Sequence, residues 1–488
     1  LPLSFNSFKL YTILNCSHHI ISYHNYFSTR KESNITPTRE RAATYIENAL
    51  IMALSSRASK LTTPDPSGPI LSDNWHPTLN PSGYVNLGVA ENYLMHASLQ
   101  QHLHANLKVP TSAFTYGDFF KRSRTAIASF LTKHLNTVVP IKPEHVAVAS
   151  GCTSAVEHMA WAFADPGDVI LLGRPYYGAF PGDATLRTGT KLGFVDFRED
   201  DPLGANCVKK YEESLLEARA NGEKVSAVLL CHPHNPLGRC YSREVLIDLF
   251  KFCNKYKLHL ISDEIYALSI FENKIDTNPP PAPFYSVLSI DPTGLIDPAY
   301  VHCLWGMSKD FGANGLRLGA IISQHNVDLM TALAPAVLLS SVSSLSEHVF
   351  ANALEDDIWV ENYIKENQRK LGSYYEYIVK WAKANDIVYA TGANAGFFIW
   401  ADLGRTYLKH QDSDSKPEDL DQAVMDALLR HKVFLASGVR FGSEKPGWFR
   451  IVFSHDMDYL NEGLGRIVAA LTTPEPLKNM SNLSLQNY

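Results

Sequence analysis

From about Val85 onward, short apolar runs recur along the chain, and helix-like stretches separate them. The runs are Val146–Ala149, Val169–Leu172, Val225–Leu230 and Leu258–Ser262, and the first leads into a helical pattern over Ser154–Phe163. Strands that are apolar on both faces, alternating with helices, predict an α/β fold built on a mainly parallel sheet covered by helices. Ligands of such a sheet sit beyond the carboxyl ends of its strands. Helical spacing resumes over Ser344–Asn385, with Trp359, Tyr363, Leu371, Tyr374, Tyr375 and Trp381 at core-compatible positions, which predicts one long helix linking two lobes. A smaller strand set follows in Gly396–Trp400 and Trp448–Phe453. Between them the polar, acidic residues 404–420 predict an exposed loop, as does the proline-rich run Thr277–Pro283.

These patterns divide the chain into a leader at 1–51, an irregular Ser/Thr/Pro/Asn-rich arm at 52–84, a large domain at 85–340, a smaller C-terminal α+β domain at 341–475 and a tail at 476–488. The leader has two readings. Residues 1–31 lack any acidic residue and are rich in serine, as in a transit peptide for mitochondrial import. The favoured reading is upstream sequence ahead of a natural start at Met52, the first methionine, because arginine is sparse there.

Composition narrows the partners. A chain of 488 residues, 45% hydrophobic and 19% charged, with a net charge of -6 and no basic stripe, reads as an enzyme of small molecules rather than a nucleic-acid binder. No run reaches the roughly 18 apolar residues of a membrane helix. The seven cysteines are odd in number and without a C-x-x-C pair, so a disulfide framework is not expected and a reducing, cytoplasmic location is. Cys231, His232, His234 and Cys240 are interrupted by Pro233 and Pro236, and no metal site is expected there.

The candidate chemistry lies at the strand ends. In Trp305–Gly319, between two apolar segments, Lys309 and Arg317 stand eight residues apart. A lysine amine can hold an aldehyde cofactor as a Schiff base, and an arginine fork can clamp a phosphate, so this is a place for pyridoxal 5'-phosphate (PLP). Gly151-Cys152-Thr153 form a strand-to-helix turn whose N-H groups can hold that phosphate. Tyr177 can stack on a flat ring, and Asn235, between two prolines, can donate to a phenolic oxygen. Asp263 emerges from a buried strand, where a carboxylate is costly unless paired, and a protonated pyridine nitrogen is a suitable partner.

Five motifs then appear in order: Leu87-Gly88-Val89-Ala90-Glu91-Asn92, Asn235-Pro236-Leu237-Gly238, Ser262-Asp263-Glu264-Ile265-Tyr266, Ser308-Lys309-Asp310 with Arg317, and Gly447-Trp448-Phe449-Arg450. On these the chain from about Val85 to Ala470 resembles the class I and II aminotransferase family of PLP enzymes, and within it the 1-aminocyclopropane-1-carboxylate (ACC) synthase-like branch. The resemblance implies the aspartate aminotransferase fold (fold type I), with a seven-stranded sheet in the large domain. It implies that Lys309 carries the Schiff base and acts as base at the substrate Cα, that Asp263 pairs with the pyridine nitrogen, and that Asn235 and Tyr266 donate to the ring oxygen. Tyr177 would stack on the ring. Gly151, Cys152, Thr153, Ser308 and Arg317 would hold the phosphate, and Arg450 the substrate α-carboxylate. Tyr116 would reach the phosphate of a neighbouring subunit, which implies a homodimer.

Two departures stand out. Gly306 occupies a position where the family usually has serine, so one phosphate hydroxyl is missing and a serine there is expected to tighten the cofactor. Phe311-Gly312-Ala313-Asn314-Gly315 replaces the Leu-Gly-Leu-Pro-Gly of ACC synthases proper. Amino transfer from an α-amino acid to a 2-oxo acid is therefore the leading expectation. The alternatives are elimination on S-adenosylmethionine or C-S bond cleavage, for which Glu91 could serve as a second acid/base, and a non-catalytic homologue.

Overall fold

The structure, a computed structural model, describes residues 54–59, 61–63, 68–115, 121–276, 280–411 and 417–474. The chain divides into Leu1–Asp65, in which the short helix Ser56–Ser59 is described, and Pro66–Tyr488, which contains everything that follows.

The apolar runs become strands β1 Val146–Ala149, β2 Val169–Gly173, β3 Lys191–Val195, β4 Val225–Cys231, β5 His259–Asp263, β6 Val301–Gly306 and β7 Gly319–Ile322. They form one seven-stranded sheet in the order β1-β7-β6-β5-β4-β2-β3. Only β7 runs antiparallel to its neighbours. Strand β4 is buried along its whole length, which is why it reads as a continuous Val/Leu run. Edge strand β3 is largely exposed and mixes Lys191, Gly193 and apolar residues, so it leaves no such run in the sequence.

A second, antiparallel sheet joins β8 Val388–Tyr389, β9 Phe398–Asp402, β10 Ala436–Ser437 and β11 Trp448–Val452 in the order β10-β11-β9-β8. The short segment Val85–Asn86 pairs in parallel with Val433–Phe434. That pairing carries residues 87–91 alongside β11, where the Val452 N-H donates to the Leu87 carbonyl at 2.8 Å.

Several expected elements are corrected. The single long helix is two, Ser344–Leu354 and Asp357–Ala384. Asp356 stops one and caps the other, accepting from the Trp359 N-H at 3.0 Å while its second oxygen meets His102 Nε2 at 3.1 Å. The loop expected over 404–420 begins as helix Leu403–Lys409, whose Leu403 and Tyr407 are buried. Aspartates cap the helices at either end of that segment: Asp402 accepts from the Arg405 N-H and Asp419 from the Gln422 N-H. Helix Gly151–Phe163 starts three residues earlier than its apolar spacing suggests, because Gly151, at φ +79°, already makes the turn off β1. The arm is not wholly irregular, since Gly68–Ser72 is helical. Among the described residues no single helix is long and apolar enough to cross a membrane.

Candidate active site

The carboxyl ends of β1, β4, β5 and β6 deliver Gly151, Asn235, Asp263 and Lys309. Lys309 lies in the one-turn helix Met307–Asp310, and its Nζ donates to the Ala90 carbonyl at 2.6 Å. Burial, then the positive charge of Arg450, pushes its amine down to about 8, with Glu91 opposing. Asp263, the last residue of β5, is buried, and among the described residues its side chain accepts one bond, from the Ile265 N-H at 3.3 Å. Burial, reinforced by Asp183 and Glu264, pushes its carboxyl up to about 7, against the pull of Lys309.

Arg450 sits on β11, buried, with its guanidinium 5.2 Å from the Phe398 ring centre and 4.9 Å from that of Phe441. It donates through Nη1 to Asn235 Oδ1 at 2.9 Å and through Nη2 to the Gly88 carbonyl at 2.6 Å, while its buried Nε has no partner among the described residues. With Asn235 Oδ1 engaged this way, the amide nitrogen is the end left to donate. Tyr266 is buried edge-on to Phe397 and Phe398, and burial pushes its phenol well up. Tyr177 packs edge-on to Phe180, and burial raises it likewise.

At the other end of the site, Arg317 reaches over the first turn of helix Gly151–Phe163, donating to the Ser150 carbonyl at 3.2 Å and the Asn314 carbonyl at 2.8 Å. Any Cβ at Gly151 would collide with its Nη2. Thr153 hydrogen-bonds Asp183, whose carboxyl burial pushes up to about 6. The Cys152 thiol is pushed well up by burial, then by Asp263, so it stays protonated there. Ser308 is buried in the same turn as Lys309. Glu91 Oε2 accepts from the Tyr93 hydroxyl at 2.5 Å. Tyr116 lies outside the described residues.

Sequence reading missed four contributors. The carbonyls of Gly88 and Ala90, which take Arg450 and Lys309, carry no residue-type signal. Asp183 lies in helix Phe180–Thr185, away from any motif, and Tyr93 sits two places past Glu91. One expectation is overturned. A Cβ at Gly306 would stand 2.8 Å from the Leu318 carbonyl oxygen and 3.2 Å from Gly319 Cα, its partner across β6 and β7. The glycine answers to close strand packing, so a serine there has no room to supply a phosphate hydroxyl. Cys231 and His232 bond the carbonyls of Pro233 and Tyr285, and among the described residues no group of three or more His, Cys, Asp or Glu could hold a metal.

A family model for aminotransferase class I and II matches residues 82–467. The chain belongs to that family. It is 35% identical over 407 residues, 81% of this chain and 77% of the relative, to 1-aminocyclopropane-1-carboxylate synthase-like protein 1 of Mus musculus. It is 30% identical over 433 residues, 86% of this chain and 99% of the relative, to the probable aminotransferase sirI of Leptosphaeria maculans. Among solved structures, a double mutant of Thermus thermophilus aspartate aminotransferase aligns over 86% of this chain and 99% of its own, with TM-score 0.67 and 18% identity. The fold is that of aspartate aminotransferase, and the family is one of PLP-dependent enzymes.

The residues present fit that cofactor. A buried, scarcely paired carboxylate suits a cationic ring nitrogen, a helix start beneath an arginine suits a phosphate, and a lysine pushed down to about 8 suits an aldehyde.

Proposed function

We propose that this chain binds PLP and transfers the amino group of an α-amino acid to a 2-oxo acid. The observation that carries the reading is Arg450, a buried guanidinium with an unpaired Nε and no carboxylate within ion-pair distance among the described residues. A buried cation is costly without an anion, and the planar fork suits a substrate carboxylate.

Bound there, PLP supplies an electron sink that makes the substrate Cα-H acidic. Arg450 would hold the α-carboxylate end, Asn235 and Tyr266 would donate to the ring oxygen, and Tyr177 would fix the plane of the ring. Asp263 would keep the ring nitrogen protonated, an ion pair that offsets its own burial. Arg317 with the turn at Gly151, Cys152, Thr153 and Ser308 would anchor the phosphate. Lys309 Nζ, lowered to about 8, would take the proton from the substrate Cα and hold it for return.

A second reading, elimination with loss of a leaving group from the side chain, is favoured by Glu91. Its charge reaches Lys309, and a carboxylate so near the reacting lysine suits a cationic substrate. The name of the mouse relative supports this reading, and that of the Leptosphaeria relative the first. Incubation of the PLP-loaded protein with S-adenosylmethionine, and separately with amino acids plus 2-oxoglutarate, decides between them by mass spectrometry. Glutamate with new 2-oxo acids is expected; ACC or methylthioadenosine would establish elimination instead, and no turnover of any substrate would favour a non-catalytic homologue.

The same reading makes the protein a homodimer. Phe114 and Leu339, 80% and 84% exposed, lie on adjoining elements with the exposed Leu338 and Leu345, and Ser344 Oγ donates to the Ala113 carbonyl between them. Such an apolar patch suits a second copy. Sedimentation at the dimer mass is expected, and a monomer at micromolar concentration would refute it.

A further inference from the structure

We infer that Tyr93 is a positioning residue of this site, holding the Glu91 carboxylate in one orientation beside the reacting lysine. The inference rests on the PLP reading above and adds to it a residue that none of the five motifs contains.

Tyr93 is itself held from three sides. Its ring stacks on His455 at 4.8 Å and 26°, and His455 stacks in turn on Tyr459 at 4.9 Å and 21°. His96 lies 4.9 Å away, tilted by 60°. The Tyr93 N-H donates to the Ser454 carbonyl at 2.9 Å, while Ser454 Oγ donates to the Glu91 carbonyl at 2.6 Å. Between them Asn92 is buried and tied to Asn367 at 2.9 Å. The backbone from Glu91 to Tyr93 is thereby fastened to the residues just after β11, the strand that carries Arg450. A hydroxyl on so fixed a ring can aim a carboxylate.

The donor is not in doubt chemically. Burial, then Glu91, pushes the Tyr93 phenol far above its ordinary value, so the O-H stays protonated and donates. No cation lies within ion-pair distance of Glu91 among the described residues, which leaves the phenol as the contact that orients its carboxylate. The charges facing Lys309 are Arg450, Glu91, Cys152, Arg317 and Asp263, and those facing Glu91 are Tyr93, Tyr459 and Lys309. Glu91 is the first acid among those raising Lys309 and works against Arg450. Loosening it would leave the lysine nitrogen easier to deprotonate.

The test uses PLP-loaded holoenzyme and the pH titration of the absorbance band that depends on Lys309. Tyr93→Phe keeps the ring on His455 and removes only the hydroxyl. Its band is expected to titrate lower than the wild type by about half a unit or more. In a Glu91→Gln background the same substitution is expected to add nothing, since the hydroxyl then has no carboxylate to hold. Wild-type titration of Tyr93→Phe would overturn the inference, and so would a shift that persists in full when Glu91 is Gln. Absence of any Lys309-dependent band in the wild type would overturn the cofactor reading itself, and this inference with it.

Discussion

Asp263 and Asp310 are equally deep in the protein, 3% and 2% exposed, and burial pushes both carboxyls up to about 7. Their surroundings differ. Asp310 accepts from Trp305 Nε1 at 3.0 Å, Ser269 Oγ at 2.7 Å and the Leu268 N-H at 3.2 Å. Among the described residues the Asp263 side chain has one bond, from the Ile265 N-H at 3.3 Å. Arginines repeat the contrast. Arg466 bonds Glu462 and the carbonyls of Gly83, Lys432 and Pro81, whereas Arg450 keeps an unpaired Nε. Burial alone therefore does not mark a functional group. What separates the two classes is whether the protein itself completes the hydrogen bonds, because an unpaired buried charge persists only where a ligand repays its desolvation.

The largest effect expected is at the lysine. Lys309→Ala should reduce turnover by about 10⁴-fold or more while leaving the circular dichroism unchanged, since both the covalent anchor and the Cα base are lost. Full activity in that variant would break the account.

The aspartates come next, and they should fail in opposite ways. Asp263→Asn should lower turnover by about 10³-fold, within the span that a single electrostatic partner commands. Its apo form should nevertheless gain stability relative to the wild type as pH rises from about 4 to 7. The folded pKa of Asp263 lies above its unfolded value, so the native state binds the extra proton in that window, and wild-type stability falls as the proton is lost. Asp310→Asn should instead cost about 2 kcal/mol at neutral pH by leaving donors unpaired. Because both carboxyls are pushed up to about 7, the two variants should share that pH trend and differ by an offset. Urea melts of both apo variants measure it; equal stability at pH 7 would erase the contrast.

Arg450→Lys should raise KM for amino acids by about 100-fold, because a point charge cannot replace the fork that Nη1, Nη2 and Nε present. Steady-state kinetics at fixed 2-oxo acid would show it. The smallest effect is at Gly306→Ser. With the Leu318 oxygen 2.8 Å from the new Cβ, the variant should lose about 1 kcal/mol and gain no PLP affinity, as thermal melts and a cofactor titration would report.

Much of this was legible in the sequence. Buried strands write themselves as apolar runs, and Asp263, Asn235, Lys309 and Arg450 lie in or next to such runs, so the sheet and the reactive set could be read together. The antiparallel direction of β7 could not, because Gly319–Ile322 is as apolar as a parallel strand would be. Nor could the break at Asp356, where a single cap outweighs helical spacing that continues on both sides. The carbonyls of Gly88 and Ala90 belong to backbone that every residue has. Gly306 was misread for a related reason: the absent hydroxyl is visible in a sequence, whereas the facing strand that excludes it is not.

The most direct test of the central claim is to load the purified protein with PLP, reduce it with borohydride and map the adduct by peptide mass spectrometry. The account predicts a phosphopyridoxyl group on Lys309, with none on the Lys309→Ala protein. An unmodified Lys309, or labelling spread over surface lysines and unchanged in the variant, would contradict it.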